Sequence, residues 1–296
     1  MYTIARLMII SVSLVAYTVA FGQQININDG TNISGMHGDE LNAEWSSDSK
    51  NLLFESVHNG SSRIYLHRLQ EDTVLCLSNL DYNYRNPVWH PDGDKVVFDS
   101  DKDGADYLYV LDLNTNEVLP MFKRKIKCRN ASFSASARQV YFTGWDELTN
   151  RWEIYSYDFV YNNLNRLTDI KLGTSDVDVT TDGKQIVYCK ANPFKKAYNL
   201  EIINWYGEQI IKFDRFNGED PSWGPSVFKI FFVSDMDNEN CELYSIWRDG
   251  SHLQRLTFDD ASVACPVVSP DGTKIAMSIL TESDWDIFIF QIEGYE

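Results

Sequence analysis

The sequence predicts an all-β protein, a six-bladed β-propeller built from four-stranded antiparallel blades. Three observations carry this expectation. One motif recurs six times at nearly constant spacing, the units are built of short strand-like segments separated by turn residues, and no unit shows the 3.6-residue periodicity of a helix. Eight Trp, 16 Tyr and 16 Phe in 296 residues favour strands in the same direction.

The first strand of each unit is marked by an anchor residue: Trp45, Trp89, Phe133, Val179, Trp223 and Val268, spaced 44 to 46 residues apart. Each anchor runs into a turn of the kind seen in Asn86-Pro-Val-Trp-His-Pro-Asp-Gly93 and Cys265-Pro-Val-Val-Ser-Pro-Asp-Gly272. There Asp and Gly supply the backbone conformations that a tight hairpin needs. A second, apolar strand follows, as in residues 95–98 or 185–188, then a polar loop such as 100–104. The third strand alternates apolar and polar residues (63–68, 107–112, 153–158), and the fourth is shortest (74–77, 165–167, 254–256). Four strands in about 45 residues make one propeller blade, and six blades close a ring without free edges. The blades start near residues 42, 86, 130, 176, 220 and 265.

The two ends of the chain complete this plan. Residues 1–22 read as a signal peptide: one basic residue, an apolar run over 7–20, and small residues at Ala20 and Gly22 ahead of a cleavage point. The mature chain, 23–296, is then a single propeller, exported to the periplasm or secreted. The sixth unit lacks a fourth strand, and residues 24–28 (Gln-Ile-Asn-Ile-Asn) are expected to supply it from the N-terminus.

Composition excludes some partners. The formal charge is −17 and the isoelectric point about 4.6, so no phosphate lattice or anionic membrane attracts this chain, and no nucleic-acid partner is expected. After signal cleavage no stretch approaches transmembrane length, and a monomer is expected. The five Cys (76, 128, 189, 241, 265) are odd in number and contain no C-x-x-C, so neither a disulfide framework nor a zinc site is indicated.

The repeat resembles the WD40-like (PD40) repeats of the TolB-type propellers. The likeness is plainest in Pro87-Val-Trp-His-Pro-Asp-Gly93, Phe98-Asp-Ser-Asp101, Asp103-Gly104, Leu108-Tyr109 and Asp112, and in the strand endings Leu167-Thr168 and Leu256-Thr257. It covers nearly the whole mature chain and implies the propeller fold and a bacterial envelope setting. Residues 23–41 are too few for the N-terminal α/β domain of TolB proper, so a full TolB role in the Tol–Pal system is not expected.

Candidate chemistry is sparse. Asp99-Ser-Asp-Lys-Asp-Gly104 begins like a calcium loop, but the twelfth position is Val110 where an EF-hand needs Glu, so no metal or other cofactor is expected. No G-x-S-x-G or H-E-x-x-H occurs. His37-Gly-Asp39-Glu40 is the one compact acid–base cluster, and His67 and His90 read as surface positions. The strongest candidate is geometric. Three residues before each anchor stand Asn42, Asn86, Asn130, Asp176 and Asp220, with Cys265 as the sixth. In a propeller these positions form one ring at the mouth of the central channel, flanked by loops bearing Tyr82, Tyr84, Arg85 and Arg129. Amides and carboxylates there can hold a peptide, and Tyr and Arg are typical binding hot spots. The expected function is a non-enzymatic module that binds an envelope or secreted protein or peptide at that mouth. The alternative is a secreted carbohydrate-active lyase or hydrolase using the same loops.

Overall fold

The computed structural model describes residues 24–78, 82–171, 173–192, 197–237, 239–282 and 284–292; the segment read as a signal peptide lies outside them. The described residues form six four-stranded antiparallel sheets. Blade one is Asp39–Trp45, Asn51–His58, Ser61–Arg68 and Thr73–Cys76, and the next four blades repeat its order. No helix among the described residues is long and apolar enough to cross a membrane.

The second strand of every blade is buried on both faces, which is why it reads as an unbroken apolar run. Leu52, Leu53 and Phe54 in blade one, and Ile186, Val187 and Tyr188 in blade four, are almost wholly shielded. The core therefore sits between blades. One cluster joins Leu53, Ile64 and Leu66 of blade one to Tyr84, Val96 and Phe98 of blade two. The anchor Trp45 spans such a junction, its indole N–H donating to the Val267 carbonyl of blade six (3.1 Å).

Two recurring motifs have a hydrogen-bond explanation. In the turn after the anchor, a hydroxyl donates to the Asp two residues on and accepts the first N–H of the second strand. Ser46 does this with Asp48 (2.6 Å) and Asn51 (3.0 Å), Thr180 with Asp182 and Gln185, and Ser269 with Asp271 and Lys274. Blade two carries His90 instead, half-buried and edge-on to Phe133. In the Leu-Thr endings, Thr168 and Thr257 accept the N–H of Ile154 and Leu243 and donate to the buried carboxylates of Glu153 and Glu242.

The N-terminal segment closes blade six, but with a different register from the expected one. Its strand is Thr31–Asn32, paired with Ile289 and Phe288 of Trp285–Gln291, and Ile33 adds a hydrogen bond to Ile287. Residues 24–28, expected as that strand, instead cross from blade five to blade six. Ile25 donates its N–H to Leu256 (2.8 Å) and is buried among Leu256, Val263 and Phe290, and Ile27–Asp29 form a 3-10 turn capped by Asn26. Gly30 makes the crossing possible: a β-carbon there would lie 2.4 Å from the Phe290 ring. His67, expected at the surface, is buried, with its Nε2 3.3 Å from Asp72. All five Cys are free thiols.

Candidate functional site

The site is built by one irregularity repeated six times. Every innermost strand shifts register against the second strand at the residue three before its anchor. That residue takes a left-handed backbone conformation: φ is 54° at Asn42, 48° at Asn86, 51° at Asn130, 44° at Asp176, 48° at Asp220 and 49° at Cys265. Asn and Asp tolerate this region far better than most residues, which accounts for five of the six.

The bulges bring these side chains together into a stitched ring. Cys265 Sγ donates to Asn42 Oδ1 (3.2 Å), Asn42 Nδ2 to Asn86 Oδ1 (2.9 Å), Asn86 Nδ2 to Asn130 Oδ1 (3.0 Å), and Asn130 Nδ2 to Asp176 Oδ1 (2.8 Å). On its other side Cys265 offers its backbone N–H to Asp220 Oδ2 (2.9 Å). Only the Asp176–Asp220 junction lacks a hydrogen bond among the described residues. Burial and the charge of Asp176 push the Asp220 carboxyl up to about 6. Glu55 and Asp99, on the second strands of blades one and two, brace the ring from outside. Each accepts from the ring amide of its own blade and from the backbone N–H of the next.

The ring is the floor of a funnel, not its mouth. A cavity of about 660 Å³ extends from it along the innermost strands to the turns that follow the anchors. One layer above the floor stand Glu44, Val88, Ser132, Asp178, Ser222 and Val267; the wall includes Trp45, Trp89, Phe133 and Trp223, and the rim His90, Pro91, Pro225 and Pro270. Among the described residues five carboxylates line the funnel (Glu44, Asp48, Asp176, Asp178, Asp220), and no Lys or Arg does. Asp178 accepts from the N–H groups of Trp223 (2.7 Å) and Val179 (2.8 Å) and from the Ser132 hydroxyl (2.9 Å). Glu44 has no hydrogen-bond partner among the described residues, and burial together with the charge of Asp178 pushes its carboxyl up to about 8.

The remaining candidate residues lie on the far side of the ring, where loops enter the innermost strands. Tyr82 is exposed, whereas Tyr84 is buried and stacks on Phe98 (4.8 Å). Arg85 pairs with Asp106 (2.7 Å) and approaches Asp99 and Asp101 (3.8 Å each). Arg129 stacks over Trp152 (4.4 Å). The calcium-like loop is pulled apart: Asp99 serves the ring, Asp101 accepts from Asn83, and no group of three or more metal-ligating side chains occurs among the described residues. His37 makes no hydrogen bond or ion pair with Asp176 or Asp220 among the described residues. Glu40 is fully buried, accepts from Ser56 (3.0 Å), and is pushed up to about 7 by burial.

Sequence reasoning found the ring but missed Glu44 and Asp178. Acids occupy that layer in two blades of six, so no repeat signal marks them. Trp45 and Trp223 are buried core residues, Trp89 is half-buried, and all three form part of the funnel wall.

Comparison with known proteins fits this architecture. The TolB structure from Acinetobacter baumannii superposes with a TM-score of 0.67 at 22% identity, covering 79% of this chain and 58% of that one. An oligogalacturonate lyase in complex with manganese superposes with a TM-score of 0.60 at 13% identity, covering 87% and 90%. Likeness at these identities establishes the fold alone. Among curated proteins, the uncharacterized peptidase YuxL of Bacillus subtilis (strain 168) is 26% identical over 114 residues, 36% of this chain and 17% of that protein's length. The match to the TolB beta propeller domain (PD40) spans residues 15–262, and the chain belongs to that family.

Proposed function

We propose that this protein is a non-enzymatic binding module, exported to the cell envelope, that holds a segment of a partner protein or peptide in the funnel. One observation carries the reading: a cavity of about 660 Å³, lined by equivalent positions of all six blades and floored by a hydrogen-bonded ring. Its polar floor and aromatic wall are the complementary halves of a small binding site, polar groups for orientation and apolar surface for affinity. The leader-like residues 1–22 support export. The alternative reading, a lyase or hydrolase acting on carbohydrate from the same channel, has fold likeness behind it, but the described lining, with five carboxylates and no Lys or Arg, opposes a polyuronate substrate.

The test is occlusion. Ser222→Trp fills the layer above the floor, and Tyr82→Ala trims the opposite face. Cross-linked capture from intact cells should recover the partner with Tyr82→Ala and lose at least about nine-tenths of it with Ser222→Trp. Undiminished capture by Ser222→Trp in a folded protein would remove the funnel from the account.

A further inference from the structure

The funnel gathers carboxylates that have no cation in contact with them. Elsewhere several carboxylates taken out of water are met by cations, while Glu40 and Glu153 are held by hydroxyl and backbone donors. Lys190 reaches Glu201 at 2.8 Å, Arg255 reaches Glu242 at 2.7 Å, Arg166 reaches Asp146 at 2.9 Å, and Arg85 lies 3.8 Å from Asp99. In the funnel no Lys or Arg comes within 4 Å of Glu44, Asp178, Asp176 or Asp220 among the described residues. Asp178 is fixed by three donors, while the Glu44 carboxylate in the same layer has no hydrogen-bond or ion-pair partner among the described residues. A carboxyl in such a layer keeps its proton until a cation arrives to pair the charge.

We infer that the segment held in the funnel presents a basic side chain, Lys or Arg, which seats its charged end between Glu44 and Asp178 and lays its stem along the aromatic wall. The inference rests on the funnel reading above and names the chemistry of its occupant. The wall suits that group. Trp89 and Phe133 are half-buried in it, and an aromatic face takes both a methylene stem and, at its end, a cation. The net charge of −17 steers basic segments toward the molecule from any direction, so the inference needs a test that separates steering from seating.

End-blocked, fluorescein-labelled tetraarginine and tetralysine, with tetraglutamine as the neutral control, are titrated at pH 8 against wild type, Glu44→Gln, Glu117→Gln and Ser222→Lys. Glu44→Gln and Glu117→Gln have the same net charge; they differ in that Glu44 lines the funnel and Glu117 is exposed on the outside. Glu44→Gln breaks no hydrogen bond, and circular dichroism confirms the fold of each variant. Seating predicts that Glu44→Gln weakens the basic peptides about tenfold, that Glu117→Gln changes them less than about twofold, and that Ser222→Lys abolishes binding. Equal losses in the two Gln variants would reduce the effect to general attraction and overturn the inference. Tetraglutamine binding that matches the basic peptides and vanishes in Ser222→Lys would overturn it too, while leaving the funnel as the binding site. No peptide binding at all, with capture also unaffected by Ser222→Trp, would remove the funnel reading along with the inference.

Discussion

Glu44, Asp99 and Asp220 show how single residues define this channel. Each is a carboxylate taken from water by neighbouring blades, and burial pushes them up to about 8, 7 and 6. Their folded forms hold protons more tightly than the unfolded chain does. The resulting stabilisation is fully present below the unfolded values, near pH 4, and is lost as pH rises through 6 to 8. Turn carboxylates act in the opposite sense: hydrogen bonds from Ser269 and Thr273 pull Asp271 down to about 2, and Asp48 is lowered by Ser46, so their contribution is lost on acidification. Scanning calorimetry at constant ionic strength should therefore place the highest Tm near pH 4–5, with a fall on the order of 5 °C by pH 8. Glu44→Gln and Asp220→Asn should each flatten that fall. A Tm that is level or rising from pH 5 to 8 would contradict the burial argument. At this scale the sequence was informative where a backbone need repeats: the left-handed bulge selects Asn or Asp in five blades. Glu44 and Asp178 answer no such need and left no pattern to read.

Among the elements, the N-terminal strap is the one whose place depends on long-range packing. Ile25 and Ile27 alternate like strand residues, yet they fill the crevice between blades five and six, and pairing is left to Thr31 and Asn32. A two-residue strand has no periodicity to detect, which is why its register could not be read from the sequence while the other blades could. The strap should hold the ring shut: its loss opens the outer edge of blade six and exposes Val263, Ile275 and Phe290, which pack around Ile25. Removing the residues up to 33 should lower the urea midpoint markedly, and Ile25→Ala alone should cost about 2–4 kcal/mol. Equilibrium unfolding followed by tryptophan fluorescence measures both. An unchanged midpoint for the truncated chain would mean that the ring closes through other contacts.

For the whole molecule, the repeat arithmetic and turn chemistry were enough for six blades, because each blade is a local unit marked by its own anchor. The face proposed to bind was not legible. The loops with Tyr82, Tyr84, Arg85 and Arg129 carry the side-chain types typical of binding surfaces, but Tyr84 is packed on Phe98, and Arg85 and Arg129 are held by carboxylates and Trp152. The open cavity lies on the other side of the ring, and only the assembled strands fix which side widens. The most direct measurement of this account places a benzophenone side chain at Ser222 in the funnel or at Tyr82 on the opposite face, and irradiates intact cells. The account predicts one partner adduct from position 222 and none from position 82; an adduct from position 82 alone would contradict it.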